Sequence, residues 1–435
     1  MAEGLCLFWF RRDLRLHDNA GLYAALQSGY PVLPLFIFDP EILNSLPEDD
    51  ARVSFIHQNL QHIRAHLQKH SGSSLAVFHG DPQEVFQKLL QDYPVKAVYT
   101  NEDYEPYAIK RDLAIGQLLA DQQIPFVKCK DQVIFAKDEV TKDDGNPYVV
   151  YTPFMRKWKA SLNPEKHLVE YQSQNHLNRL LKNTDLPNRS LSDIGFKPSK
   201  IEVPAYQADN SLIDQYSKKR DYPAIDGTSH LGPHLRFGTV SIRELVKKAR
   251  KSKEETFLNE LIWREFFMQI LWHFPRTVHE SFKKKYDHIV WRNDSSDFEK
   301  WKKGETGYAL VDAGMRELNT TGYMHNRVRM LVASFLCKHL LIDWRWGEAY
   351  FAEKLLDFEL SSNVGNWQWA SGSGVDAAPY FRIFNPMTQI EKFDKERQYI
   401  KKWVPEFGTD AYPEKMVDHK AARERCLDTY KAALN

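Results

Sequence analysis

Strand-length apolar runs alternate with stretches of helical hydrophobic spacing through the first 130 residues, and this alternation limits the folds open to the chain. Strands that are each followed by a helix form right-handed crossovers, which build a parallel sheet covered by helices on both faces. We therefore predict a doubly wound α/β domain. The predicted strands are residues 5–10, 31–39, 75–80, 95–101 and 125–129, and the predicted helices are 19–26, 51–68, 82–92 and 107–121.

The strand pattern ends after this region. Residues 131–205 are rich in Asp, Asn, Pro and Ser and show little periodicity, which is typical of a long connector. From about residue 206 the spacing is helical. We predict an α/β domain (1–130), a connector (131–205) and a large all-α domain (206–435). The predicted helices of the last part are 241–251, 254–274, 308–319, 325–342, 346–357 and 395–402.

Composition excludes several classes of protein. Hydrophobic residues make up 43% and charged residues 27%, a globular balance that excludes a disordered or collagen-like chain. No apolar run approaches the roughly 20 residues that span a bilayer, and the first apolar run is too short for a signal peptide. Four cysteines without a CxxC spacing indicate neither a disulfide framework nor a zinc site, so no metal is expected. We expect a soluble, cytoplasmic protein.

The charge distribution is uneven. The net charge is only +1, yet residues 216–253 hold ten Lys and Arg against three Asp and Glu. A local basic face can attract nucleic acid even when the whole chain is nearly neutral. The basic run at 247–253 is equally consistent with a solvated helix face, which is the interpretation we favour.

Two short segments carry residue types that suit anionic partners. In DGTSHLGPHL (226–235), small hydroxyl residues follow a glycine ahead of a predicted helix, where N–H and O–H groups can face a phosphate. A plain loop with a helix cap explains it more simply. In GYMHNRVRM (322–330), arginines lie at a helix start, where the helix dipole opposes them, so an anionic partner is plausible. Ordinary surface arginines are the alternative.

The segment NELIWREFF (259–267) suits a base-binding pocket. At helical spacing Glu260, Trp263 and Phe267 share one face, and Arg264 lies one turn after Glu260. A carboxylate beside an indole and a guanidinium can line a polar, aromatic pocket. The alternative is an amphipathic helix with an ion pair between positions 260 and 264.

The stretch 341–386 is the most informative. Four tryptophans lie there among Asn, Gly and Asp, in a polar sequence that we interpret as loop-like. Packing alone explains most buried tryptophans, but not this context. The stretch contains DWRW (343–346), DFELSSN (357–363), NWQWASG (366–372) and DAAPYFRIFNP (376–386).

Taken together, these segments resemble the photolyase/cryptochrome family, and within it class I cyclobutane pyrimidine dimer photolyases. The resemblance begins at FWFRRDLR (8–15), continues through 226–229 and closes at 381–386, so it covers nearly the whole chain. The blocks 366–372 and 376–386 are highly specific, although no single block would suffice.

The resemblance implies one FAD per chain, held in the all-α domain and active as the anion FADH⁻. Asn363 would face flavin N5, where an amide oxygen can accept from N5–H without placing a second charge beside the anionic ring. Arg329 is expected to pair with Asp357. The residues implied to bind FAD are Tyr216, Thr228, Ser229, His230, Leu231, Arg264, Asn326, Arg329, Asp357, Glu359 and Asn363.

The implied reaction is light-driven repair of pyrimidine dimers in DNA. Excited FADH⁻ would donate an electron to the flipped dimer, the C5–C5 and C6–C6 bonds would break, and the electron would return. Glu260 would bond the edge of one pyrimidine, Trp263 would stack on it and Met330 would contact the other face, with Asn326 as a further polar contact. Such chemistry needs no general base, metal or nucleophile.

The resemblance also implies a route for reducing the flavin and a rim for gripping DNA. Electrons would pass from Trp291 near the surface through Trp344 to Trp367, with Trp301 as a branch. Phosphate contacts fix the register of DNA without reading its sequence. The residues implied to contact DNA are Arg220, Asn326, Arg327, Arg382, Gln389 and Lys392. We expect a monomeric protein that acts on DNA containing pyrimidine dimers.

Three positions depart from the family pattern. Phe257 stands where relatives often have Trp, Gly232 replaces a common Ser, and Glu359 replaces a frequent Asp. None touches the implied electron route, so we expect effects on affinity at most.

The alternative function is a cryptochrome-type blue-light photoreceptor without repair activity, against which Glu260, Trp263 and Met330 argue. A (6-4) photolyase would need a histidine pair at the dimer, and the neighbours of His325 do not match that subgroup. The antenna chromophore stays open among a deazaflavin, a folate, a second flavin and none. Residues 101–107 look more like the deazaflavin type, although a strand-to-helix turn explains them almost as well.

Overall fold

The computed structural model describes residues 4–434, and it confirms the predicted fold class: a parallel α/β sheet followed by a helical region. The strands are β1 (Leu5–Phe10), β2 (Val32–Phe38), β3 (Ala76–His79), β4 (Val95–Asn101) and β5 (Phe126–Cys129). The helices are α1 (Ala20–Leu26), α2 (Pro40–Leu43), α3 (Ala51–Ser71), α4 (Pro82–Asp92), α5 (Pro106–Ala120), α6 (Tyr151–Ser161), α7 (Pro164–His167), α8 (Asn210–Lys219), α9 (Leu231–Arg236), α10 (Ile242–Ala249), α11 (Thr256–His273), α12 (Ser295–Lys303), α13 (Ala309–Thr321), α14 (Asn326–Ser334), α15 (Trp344–Lys354), α16 (Leu360–Ser371), α17 (Pro386–Phe393), α18 (Gln398–Trp403) and α19 (His419–Leu434).

The sheet is doubly wound. Its strand order is β3-β2-β1-β4-β5, and all pairings are parallel. Successive β1 residues alternate between two apolar clusters: Phe8 packs with residues of α1 and α3, whereas Leu7 and Trp9 pack with residues of α4 and α5. A strand buried on both faces has no polar side, which is why β1 and β2 are continuous apolar runs.

The helical region packs around α13, α14, α15 and α16, whose apolar residues form one cluster. Two glycines allow close approach between its helices. A Cβ at Gly347 of α15 would lie 2.1 Å from the Trp367 ring of α16, and one at Gly365 would lie 2.3 Å from the Phe267 ring of α11. These contacts bring α11, α15 and α16 together.

One local prediction is wrong. The stretch interpreted as loop-like contains the regular helix α16, which begins at the side-chain cap Glu359 and ends at Gly372 with φ of 97°. Its Asn, Ser and Gly residues favour loops in isolation. Burial of Val364 and Trp367 against the neighbouring helices outweighs that preference.

The helix predicted over 325–342 is also shorter than expected. It consists of α14 and a following π-helical turn, Phe335–His339.

The chain forms two compact units, each built from several segments. One contains residues 4–139, 161–206 and 230–251, and the other contains 140–160, 207–229 and 252–434. The predicted domain limits at 130 and 205 stay a prediction. No helix among residues 4–434 is long and apolar enough to cross a membrane.

Candidate functional site

The helical unit contains a cavity of about 300 Å³, within the size range of small-molecule sites. Helices α11, α14 and α16 supply most of its wall, and Arg220 joins them from the end of α8. The cavity is lined by Arg220, Glu260, Trp263, Arg264, Phe267, Asn326, Met330, Ser362, Asn366 and Trp369. Seven of these ten residues are among those that the sequence singled out: Arg220, Glu260, Trp263, Arg264, Phe267, Asn326 and Met330.

Helix α16 supplies three lining residues to which the sequence assigned no role. Ser362, Asn366 and Trp369 follow one another at spacings of four and three, so they share a face of the helix. That spacing is the signal for these residues in the sequence, and the interpretation of the stretch as a loop hides it. Phe267, one turn after Trp263, lines the cavity from the face already recognised on α11.

An aromatic neighbour of the cavity comes from the predicted connector. The Tyr151 ring of α6 lies parallel to the Trp263 indole, with ring centroids 3.6 Å apart and planes 7° apart. The spacing of Tyr151, Phe154 and Trp158 on α6 is that of an amphipathic helix, a signal that the sequence did contain.

Two charged residues of the cavity lining pair with each other. Arg220 forms an ion pair with Glu260, and their side chains are 22% and 36% exposed. Burial alone would lower the pKa of Arg220, but the Glu260 carboxylate outweighs that effect and raises it. Arg327, a predicted DNA contact, pairs with Asp221 at 2.5 Å and lies 4.3 Å from the centre of the Phe393 ring.

The predicted pair of Arg329 and Asp357 is confirmed. The two guanidinium nitrogens donate to the two carboxylate oxygens at 3.1 and 2.9 Å. Arg329 also donates to the carbonyl of Met324 at 2.6 Å. Burial would lower the pKa of Arg329, but Asp357 raises it more, so the guanidinium stays charged inside the protein.

Asn363 is held by a residue that the sequence did not single out. Its amide nitrogen donates to the backbone carbonyl of Glu348 at 3.0 Å and to the Glu348 carboxylate at 2.8 Å. Burial raises the pKa of Glu348, although the hydrogen bond from Asn363 acts against the shift. The amide oxygen of Asn363 has no donor among residues 4–434, so it is available as an acceptor.

The predicted electron-transfer tryptophans lie in the helical unit. Trp367 and Trp344 are buried, and Trp291 is partly buried. The ring of Trp301, the predicted branch, is fully buried 6.2 Å from the ring of Trp367 at an interplanar angle of 68°. Trp291 lies 6.0 Å from the ring of Tyr430.

The other predicted FAD residues do not line the cavity wall. Tyr216 meets Phe257 edge to face at 5.2 Å, and the Thr228 hydroxyl bonds the Tyr323 hydroxyl at 3.1 Å. The Glu359 carboxylate caps α16.

Two predicted FAD residues and three predicted DNA contacts also do not line this cavity. The boundary between the compact units falls just after Ser229, so His230, with φ of 52°, and Leu231, the first residue of α9, belong to the other unit. Arg382 and Lys392 are exposed, and Gln389 of α17 is half-buried.

The α/β unit holds a second cavity of about 140 Å³. It lies where β1, β2 and β4 end, beside the switch in strand order between β1 and β4, which is where open α/β sheets bind ligands. Asp103, Glu105 and Tyr107, from the segment singled out after the fourth strand, line it. Arg12 pairs with Asp103 at 3.1 Å, and this arginine and its neighbours hold the pKa of Asp103 below its usual range despite burial.

The first cavity can bind a flat polar molecule. Aromatic rings, amide groups, a carboxylate and guanidinium groups surround it, and none of the lining residues is a cysteine or histidine. Within the described part of the chain, no group of three or more His, Cys, Asp and Glu could hold a metal ion.

Two sequence families match the chain. Residues 6–172 match the family described as DNA photolyase, and residues 257–409 match the FAD binding domain of DNA photolyase. A deoxyribodipyrimidine photo-lyase from Halobacterium salinarum is 38% identical, over 98% of this chain and 99% of that protein.

Solved structures agree with these matches. A bacterial class III photolyase from Agrobacterium tumefaciens is 33% identical with a TM-score of 0.88, over 100% of this chain and 98% of that one. An archaeal photolyase from Sulfolobus tokodaii with two FAD molecules is 35% identical with a TM-score of 0.81, over 98% and 99%. A Synechocystis cryptochrome is 25% identical with a TM-score of 0.85, over 98% and 99%. The family predicted from the motifs is therefore confirmed, and the chain belongs to the DNA photolyase family.

Proposed function

We propose that this protein repairs cyclobutane pyrimidine dimers in DNA, using light absorbed by a bound, reduced FAD. One observation carries the proposal: Glu260, Trp263 and Met330, implied to hold the dimer, line a single cavity whose wall also includes Arg220, an implied phosphate contact. These residues come from three segments that together span 110 positions of the chain, from Arg220 to Met330, so their convergence is a property of the fold.

The residues of the helical unit fit an FAD. The amide oxygen of Asn363 is oriented and free to accept from an N–H. The ion pair of Arg329 and Asp357 lies in the same unit. When bound, reduced FAD supplies the light absorption and the single electron that the reaction requires. The chain's task is to bind and orient the FAD and the dimer. The FAD residues named from the resemblance, from Tyr216 to Asn363, remain proposed.

The cavity residues would hold a flipped dimer by three kinds of contact. The Glu260 carboxylate can accept from a ring N–H of one pyrimidine, and the Trp263 indole can stack on a base. Met330, whose thioether adapts to the surface it meets, would pack against the other pyrimidine. A pyrimidine N–H would then bind the Glu260 carboxylate either in place of the Arg220 guanidinium or beside it.

Trp367, Trp344 and Trp291 are proposed to conduct electrons for photoreduction, with Trp301 as a branch. The ring contact between Trp301 and Trp367 supports the branch. For DNA, Arg220, Asn326, Arg327, Arg382, Gln389 and Lys392 are the proposed contacts. A monomeric, cytoplasmic enzyme remains the proposal.

A second chromophore is proposed for the cavity of the α/β unit. Apolar side chains such as Phe36 and Ile42 form one part of that cavity wall. Charged side chains form another part, namely Arg11, Arg12, Arg111 and Arg236 beside Asp39, Asp103 and Glu105, so an aromatic molecule with polar groups suits it. The similar Sulfolobus structure contains two FAD molecules, which supports a second flavin as one candidate. A deazaflavin and a folate are the others.

The class I assignment is proposed from the motifs, while a class III photolyase is among the similar structures. The similarity to the Synechocystis cryptochrome is the observation that supports the alternative function of a photoreceptor. Glu260, Trp263 and Met330 favour repair.

A blue-light repair assay tests the proposal. The photoreduced protein is mixed with an oligothymidine that contains cyclobutane dimers, and recovery of thymine absorbance is followed. We expect recovery in light, none in the dark, and a sharp loss in Glu260→Ala. Dimers that persist while the flavin is reduced normally in light would reject repair in favour of photoreception.

A further inference from the structure

Tyr151 covers one face of the cavity's stacking residue. Its ring lies 3.6 Å from the Trp263 indole and is parallel to it within 7°. Trp263 lines the cavity, whereas Tyr151 does not, and only 8% of Tyr151 is exposed. The tyrosine ring therefore backs the face of the indole that is turned away from the cavity.

Tyr151 is itself fixed at both ends. Its hydroxyl donates to the carbonyl of Asn259 on α11 at 2.7 Å, one turn before Trp263. Its backbone N–H donates to the Asp376 carboxylate at 3.3 Å. The ring thus holds a set position relative to the helix that carries the indole.

The remainder of α6 is attached to α11 by separate contacts. The Trp158 indole donates to the buried Glu265 carboxylate at 2.6 Å, and the Phe154 ring lies 5.2 Å from that of Phe266. These contacts secure the helix through Glu265 and Phe266. The Phe154 ring does not itself meet the Trp263 indole, which Phe266 meets edge to face at 5.6 Å. The role of the Tyr151 ring can therefore be separated from that of α6 as a whole.

We propose that Tyr151 is a positioning residue for lesion recognition: it holds the Trp263 indole in the orientation on which one pyrimidine of the dimer stacks. This inference rests on the proposed function. An indole that is fixed in advance loses less rotamer freedom on binding, so the bound dimer gains affinity. Undamaged duplex keeps its bases stacked outside the cavity and gains nothing from this contact.

The test compares dark affinities of the full-length, FAD-loaded protein. Fluorescence anisotropy gives the Kd for a labelled duplex with one thymine dimer and for the same duplex without damage. We expect Tyr151→Leu to raise the Kd for the dimer by about three- to tenfold, as the loss of one aromatic pair implies. Undamaged duplex places no base on the indole, so its Kd should change less than about twofold. Tyr151→Phe keeps the stacked ring and loses only the hydroxyl bond to Asn259, so it should retain most of the wild-type affinity for the dimer.

Two controls separate positioning from general packing. Phe154→Leu disturbs the same helix at a ring that is not stacked on the indole, and it should leave the ratio of the two Kd values unchanged. Tyr151→Met is made in parallel in case Tyr151→Leu fails to fold, with flavin absorbance and Tm as checks of folding. In a Trp263→Leu background, Tyr151→Leu should have no further effect on dimer binding.

Several results would overturn the inference alone. They are wild-type dimer affinity in both folded Tyr151→Leu and Tyr151→Met, equal losses in Tyr151→Leu and Phe154→Leu, or an undiminished effect in the Trp263→Leu background. A wild-type protein that bound damaged and undamaged duplex equally would overturn the proposed function together with the inference, so the two failures are distinguishable.

Discussion

The side-chain amide of Asn363 donates two hydrogen bonds to Glu348, one to its backbone carbonyl and one to its carboxylate. Both bonds use the amide nitrogen, so the amide oxygen must point the other way. An acceptor is therefore oriented before any ligand arrives. Because α15 carries Glu348 and α16 carries Asn363, the close packing of these helices at Gly347 sets the relationship.

Replacing Glu348 should loosen this acceptor. In Glu348→Leu the Asn363 amide keeps its bond to the backbone carbonyl but loses its carboxylate partner. The amide is then held less firmly, which should weaken the proposed hydrogen bond to the reduced flavin, worth about 1 kcal/mol. We expect dark reoxidation of reduced flavin to accelerate about fivefold, as that energy implies, with FAD content unchanged. Glu348→Gln keeps an oxygen acceptor and is the matched control. Absorbance spectroscopy measures the rate, and equal rates in both variants would contradict the assignment.

Arg220 should serve both the phosphate backbone and Glu260. Arg220→Met removes one proposed phosphate contact, so the slope of log K against log salt should fall in magnitude by about one. It also deprives Glu260 of its partner, so dimer binding should weaken more than binding of undamaged DNA. Arg316→Met is the control: it breaks an ion pair with Glu406 that has similar exposure, and neither residue lines the cavity. An unchanged salt slope in Arg220→Met would rule out the contact.

The branch at Trp301 should appear when the main route is cut. We expect Trp344→Phe to slow photoreduction but leave a residual rate, because Trp301 lies against Trp367. The double variant Trp344→Phe/Trp301→Phe should lose that residual rate. The single variant Trp367→Phe should by itself abolish photoreduction. Flavin absorbance under blue light with an external reductant measures each rate. Complete loss in Trp344→Phe alone would argue against the branch.

Acid should destabilise the helical unit through buried histidines. Burial, assisted by neighbouring cationic groups, lowers the pKa of His339 to about 3 and that of His325 to about 4. Each group is neutral in the fold but protonates near pH 6.5 when unfolded. The stability that each contributes is full above pH 6.5 and is lost as the pH falls towards the folded pKa.

His339→Gln should therefore flatten the acid limb. Each such histidine lowers the free energy of unfolding by about 1.4 kcal/mol per pH unit between about pH 6 and 4. We expect the dependence of the variant's free energy of unfolding on pH, measured by urea unfolding over this range, to be shallower by the contribution of one proton. An unchanged slope in His339→Gln would show that this histidine does not titrate on unfolding.

Local periodicity determined much of this protein from the sequence alone. Alternating strands and helices specified the doubly wound sheet, because a parallel sheet needs a crossover between every two strands. The shared face of Glu260 and Trp263 followed from 3.6 residues per turn, and short motifs identified the family and the pairing of Arg329 with Asp357.

Only the tertiary structure decided the contacts between distant segments. Helix α16 forms from residues that favour loops, because burial of Val364 and Trp367 outweighs local preference. Tyr151 stacks on Trp263 across 112 positions of chain, and Arg220 reaches Glu260 from another helix. Such pairs depend on how whole helices pack, and helix packing is set by the combined burial of many side chains rather than by any local pattern.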